Sequence, residues 1–111
     1  MTVPVVNLRI DKGTNFEATF NVTNSDGSAF NLNGYIAVAK LKKHPSASTS
    51  KSFSVELTAS TGEIKITMSS SVTSELSTGI NIYDVVIIET STEEISKVFE
   101  GNVTVYPSVS V

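Results

Sequence analysis

A single histidine, His44, stands in the 111 residues, directly before Pro45. A hydrolytic triad needs an imidazole oriented by a buried acid and facing a fixed serine, and a zinc site needs further nitrogen or sulfur ligands. With one His and no Cys, neither set can be assembled. Glu93 and Glu94 are adjacent carboxylates of the type that glycoside hydrolysis uses in pairs, but they fall in the polar run Thr90-Ser91-Thr92-Glu93-Glu94, which has no aromatic residue to build a pocket. Asn24, Asp26 and Ser28 alternate as calcium ligands do, yet the closing bidentate Glu is missing, and Asp26-Gly27 reads as a tight turn. No Gly-rich loop precedes a helix to cradle phosphate. The sequence therefore predicts no catalytic residue, no cofactor and no metal.

Two residues stand out inside the most aliphatic segment, Ile80 to Glu89. Asp84 is expected to be structural, bridging to Lys40 or Arg9 on neighbouring strands or accepting backbone hydrogen bonds. Tyr83 is expected in the core, its hydroxyl bonded near a sheet corner. Lys40, Lys42, Lys43 and His44 form a basic cluster at the end of a strand, which reads as a solvated edge that discourages pairing with other chains. The net charge of -3 and pI near 5.0 argue against a sequence-independent nucleic-acid binder, which needs clustered cations. The N-terminus, Met1 to Asn7, has neither the basic start nor the apolar run of a secretion signal, and the aliphatic run Val85 to Ile88 is too short to span a bilayer. No membrane insertion is expected.

The elements that must position these residues are short and extended. Phe16, Ala18, Phe20 and Val22 alternate with Glu17, Thr19 and Asn21, the pattern of a half-buried strand. Comparable segments run Val5 to Ile10, Tyr35 to Leu41, Ser52 to Thr58, Glu63 to Met68, Ile80 to Glu89 and Ile95 to Tyr106. Turns fall at Asp11-Lys12-Gly13, Asn24 to Ser28, Asn33-Gly34 and Ala59 to Gly62, and a single helical turn is predicted within Ser71 to Leu76, ending before Gly79. Gly101, inside the last strand, marks a bulge or a close backbone approach. Lys42 to Lys51 lacks an apolar pattern and reads as the longest loop. This amounts to an all-β fold, an immunoglobulin-like antiparallel β-sandwich of about seven strands. One domain over residues 1–111 is expected, with 1–4 and 107–111 as peripheral tails.

Several landmarks follow one another in order: Gly13-Thr14 before a Phe-alternating strand, Asp26-Gly27, Leu32-Asn33-Gly34-Tyr35, Thr61-Gly62-Glu63-Ile64, Leu76-Ser77-Thr78-Gly79, Tyr83-Asp84, and Glu100-Gly101-Asn102-Val103-Thr104-Val105-Tyr106-Pro107. In these the chain from Arg9 onward resembles short immunoglobulin-like virion structural proteins of tailed phages, of the cyanophage type, related in pattern to the N-terminal domain of baseplate upper proteins. Asn81 stands where those proteins commonly carry the first Tyr of Tyr-x-Tyr-Asp. The resemblance implies a virion protein made in the host cytoplasm, acting in baseplate or tail-fibre attachment or capsid decoration. It implies other virion proteins as partners, a homo-oligomer, and no enzyme activity. It marks Gly34, Gly62, Gly79, Tyr83, Asp84 and Gly101 as fold-specifying residues. A different class of function, a receptor- or glycan-binding module using loops at one end of the sandwich, predicts a concave aromatic site.

Overall fold

The computed structural model describes residues 4–24, 26–44, 46–47 and 50–109. Among the described residues, eight strands follow in chain order: β1 (Leu8–Asp11), β2 (Phe16–Asn21), β3 (Tyr35–Lys42), β4 (Lys51–Ser52), β5 (Ser54–Thr58), β6 (Glu63–Met68), β7 (Gly79–Glu89) and β8 (Ile95–Tyr106). A 3-10 turn at Ala59–Thr61 joins β5 to β6, and one short helix, α1 (Ser70–Thr73), lies between β6 and β7. The strands form two sheets, one of five strands in the order β1-β8-β7-β3-β4 and one of three in the order β2-β6-β5.

The two sheets bury their facing sides in a common core. From the small sheet come Phe20, Ile64, Ile66 and Met68; from the large one come Ile10, Ala39, Leu41, Tyr83, Val85, Ile87, Phe99, Val103 and Val105. The alternation that marks β2 in the sequence is what aims Phe20 inward, where its ring stacks 4.7 Å from Phe99 and 6.3 Å from Tyr83.

The architecture departs from the sequence expectation in four ways. β1 and β8 pair in parallel, Leu8 opposite Val103 and Ile10 opposite Val105, so the strands are not all antiparallel. The segment expected as one strand from Ser52 to Thr58 is split between the sheets. Lys51 and Ser52 pair with β3, the Phe53 amide donates to the Ala39 carbonyl at 2.9 Å, and Ser54–Thr58 crosses over to pair with β6. Phe53, buried at this crossing, packs 5.9 Å from Phe16. Alternation continues through the crossing because the side chains keep facing the one core, so the pattern carries no trace of the change of partner. Thirdly, the helical turn starts earlier than expected, with Ser69 as its N-cap residue but no side-chain cap bond. The Ser70 amide is satisfied instead by the side-chain oxygen of Asn15 at 2.9 Å. Fourthly, β8 carries a bulge at Val98 that the sequence does not signal, while of the two expectations at Gly101 the close backbone approach is the one found. Val85 faces Phe99 while Val86 faces Lys97, and Val98 and Phe99 both turn inward.

The Asn24 to Ser28 turn closes with Asn24 donating to the Ser28 carbonyl at 2.8 Å, and Asp26 accepting from the Ser28 amide and hydroxyl. It leads to an isolated Thr23–Ala29 bridge rather than to a paired strand. Those two hydrogen bonds hold the Asp26 carboxyl below its usual range. Ser25 in this turn, Pro45, Ser48 and Thr49 in the Lys42 to Lys51 loop, and residues 1–3 and 110–111 of the expected tails lie outside the described residues. Pro4 is joined to the sheet, its carbonyl accepting from the Glu100 amide at 3.2 Å.

Candidate functional site

Tyr83 and Asp84, neighbours in sequence, point to opposite faces of β7 because side chains alternate along a strand. Tyr83 faces the core and is 4% exposed. Directly opposite it in register is Gly101 of β8. A Cβ at Gly101 would lie 2.3 Å from the Val6 carbonyl oxygen. The missing side chain therefore lets the N-terminal segment close in, and the Tyr83 hydroxyl donates to that same Val6 oxygen at 2.5 Å. Three further bonds tie the segment down: Val6 to the Glu100 carbonyl at 2.8 Å, Glu100 to the Pro4 carbonyl, and Asn102 to the Asn7 side chain at 3.1 Å. Burial raises the Tyr83 phenol to about 12.

Asp84 lies on the outer face of the five-stranded sheet. Lys40 and Glu100 are its register neighbours on either side, and its carboxylate pairs with Lys97 at 3.5 Å. The expected bridge to Lys40 or Arg9 is not formed: Lys97, one step along β8, reaches diagonally across the strands, and Arg9, on the far side of β8, pairs with Asp11 at 3.1 Å. Lys97 also contacts Glu100 at 3.4 Å. All three groups are more than 40% exposed at the side chain, so the cluster adds little to stability.

The same outer face is otherwise largely aliphatic. Ile88 of β7 is flanked in register by Ile36 of β3 and Ile95 of β8, and Val86 by Val38 and Lys97. Ile36 is 50% exposed and Ile95 64%. Further along β7, Ile80 is also exposed and Ile82 lies between Lys42 and Asn102. Each cross-strand row repeats after about 7 Å along the strands. The result is an apolar end, a charged row at Lys40, Asp84 and Glu100, and a mixed end. The apolar residues on both sides of β3 and β7, which suggest centrally placed strands in the sequence, leave one of those sides facing solvent.

The remaining fold-specifying glycines are scattered. Gly62 has φ of 69°, and a Cβ there would meet the Val22 and Phe30 carbonyls at 2.5 and 2.7 Å. Gly34 and Gly79 have positive φ with open space around them. His44 is exposed and lies 3.0 Å from the Ser46 hydroxyl. Glu93 and Glu94 are exposed in the β7–β8 turn, where Glu93 has φ of 59° and donates its amide to the Glu89 carbonyl. Tyr35 donates to Glu89 at 3.3 Å; burial first, and that carboxylate second, raise its phenol.

Two buried polar residues escaped the sequence reading. Thr73 donates to the Thr14 carbonyl at 2.7 Å and accepts from the Gly13 amide at 3.1 Å, pinning α1 to the β1–β2 turn. Asn81 donates to the Ser77 carbonyl. Thr73 sits in a Ser- and Thr-rich stretch, where nothing distinguishes a buried hydroxyl from a solvated one, whereas Asn81 lies on the same side of β7 as Tyr83, Val85 and Ile87, and period-two alternation carried through the strand would have placed it on the core face. Among the described residues every buried side-chain polar atom has a hydrogen-bond partner, and no three His, Cys, Asp or Glu side chains gather as metal ligands would. Nor, among them, is any helix long and apolar enough to cross a membrane.

No protein-family model matches the chain, and no curated protein matches it. Among solved structures, the whole chain is similar to part of a family 123 glycoside hydrolase from Clostridium perfringens studied for glycolipid glycan hydrolysis, with a TM-score of 0.45 and 12% identity over 24% of that chain. The chain thus spans about a quarter of that enzyme's length, and a likeness of this degree carries no activity with it.

Proposed function

We propose that this chain is a non-enzymatic virion structural protein of a tailed phage, an immunoglobulin-like sandwich that works by binding other virion proteins through the outer face of its five-stranded sheet. The observation that carries the binding half is the solvent-facing aliphatic row Ile36, Ile88 and Ile95, extended by Val38 and Val86 and bordered by charges of both signs. Exposed aliphatic clusters rimmed by polar groups mark protein contacts. The virion half, with assembly in the host cytoplasm and a place in baseplate, tail-fibre attachment or capsid decoration, is supported by the resemblance in turn and core landmarks. The immunoglobulin-like reading draws support from two facing sheets and from the chain crossing between them at Phe53. Mass spectrometry of purified particles tests it: the chain is expected among the stoichiometric structural proteins, and its absence from them would overturn the proposal.

A second reading, a glycan- or receptor-binding module, is favoured by one feature, an open cleft where Phe16 lies beside Asn15, Glu17, Ser54 and Thr67. Saturation-transfer NMR against a glycan panel separates the two, because that reading requires signal loss on Phe16→Ala.

A further inference from the structure

Across the charged row of the outer face the order is basic, acidic, acidic: Lys40 on β3, Asp84 on β7, Glu100 on β8. Across the apolar row it is Ile36, Ile88, Ile95 on the same three strands. We propose that a second copy of this chain covers this face, the two copies being related by a two-fold axis running along β7. The inference rests on the protein-binding reading above and names its partner.

A rotation about that axis exchanges the β3 and β8 columns between copies. Lys40 of each copy then meets Glu100 of the other, giving two equivalent ion pairs, while Ile36 meets Ile95 and Ile88 meets its own counterpart. Such self-matching of one patch is what a closed two-fold dimer requires. The axis also brings the two Asp84 carboxylates near each other, and each is already paired with its own Lys97 at 3.5 Å. Lys97 lays its aliphatic stem opposite Val38 of the second copy. β3 and β7 lie side by side over eight residue pairs, from Tyr35–Glu89 to Lys42–Ile82, about 27 Å at 3.4 Å per residue, and three strands at about 4.8 Å spacing give a flat projection of roughly 400 Å² before side-chain relief. Against about 800 Å² from each partner in a standard interface, this is a small contact whose specificity rests on the paired charges.

Sedimentation equilibrium on the full chain tests the proposal through a set of outer-face variants, each checked for its fold by circular dichroism. Wild type is expected to be dimeric, and Ile88→Lys monomeric. Lys40→Glu alone and Glu100→Lys alone should each weaken the dimer by roughly a hundredfold or more, because both ion pairs become like-charge contacts. Mixing those two variants should restore a heterodimer, since each charge then finds its opposite. A wild-type monomer at all accessible concentrations, a dimer indifferent to Ile88→Lys, or a mixture no tighter than its components would each overturn the proposal. A monomer that still co-purifies with particle proteins overturns the second copy alone. A dimer that passes the mixing test yet is missing from particles supports the second copy and overturns the virion reading.

Discussion

The Tyr83 hydroxyl and the space left by Gly101 work on the same atom, the Val6 carbonyl oxygen. Tyr83→Phe removes the donor and should cost about 1–2 kcal/mol in urea denaturation. The phenol also makes stability depend on pH. Its folded value, about 12, exceeds the unfolded value near 10, so the unfolded chain gives up the proton first. The contribution is full below pH about 10 and is lost as pH rises toward about 12; Tyr83→Phe should remove that segment of the pH profile. Gly101→Ala forces a methyl group onto backbone and should cost about 1–3 kcal/mol, with loss of hydrogen-exchange protection at Val6 and Glu100. Residue types at these positions were legible in sequence, since a Tyr among aliphatics reads as core and a strand Gly as a close approach. The partner atom was not, because Val6 lies 77 residues from Tyr83 and periodicity says nothing of distant segments. Asp84 shows the same limit: its strand was evident, while its outward face and its pairing with Lys97 depend on which strands lie alongside.

At the level of elements, period-two alternation carried most of the fold. It located the strands, among them β6 and β8 with the bounds seen, because one buried and one wet face leave a direct mark on composition. Phe20, on the buried face of β2 against Phe99, should cost about 3–5 kcal/mol when truncated to Ala, read from the shift in unfolding midpoint. Alternation could not reveal the parallel β1–β8 pairing or the change of sheet at Phe53, since each keeps the same side chains facing inward. The β7–β8 turn illustrates local chemistry overridden by its setting. Glu93 occupies the left-handed region at φ of 59°, a conformation that costs a non-glycine residue roughly 1–2 kcal/mol. Glu93→Gly should raise stability by about 0.5–1 kcal/mol once added chain entropy is counted, measured by thermal unfolding.

For the molecule as a whole, the candidate site was the least legible part. Sequence patterning set apart the Lys42 to Lys51 loop and the tail at residues 107–111, but no sheet face. The outer sheet face emerges only when β3, β7 and β8 are set side by side, which brings Ile36, Ile88 and Ile95 into one row and Lys40, Asp84 and Glu100 into another. In sequence, aliphatics on both sides of β7 look like burial on both faces; in the fold, one of those faces is open to solvent. The most direct measurement of this account is a cryo-EM map of the purified phage particle. Density for this chain is expected with the outer face of the five-stranded sheet, from Ile36 to Glu100, covered by a neighbouring subunit. Density in which that face is bare, or particles without the chain, would contradict it.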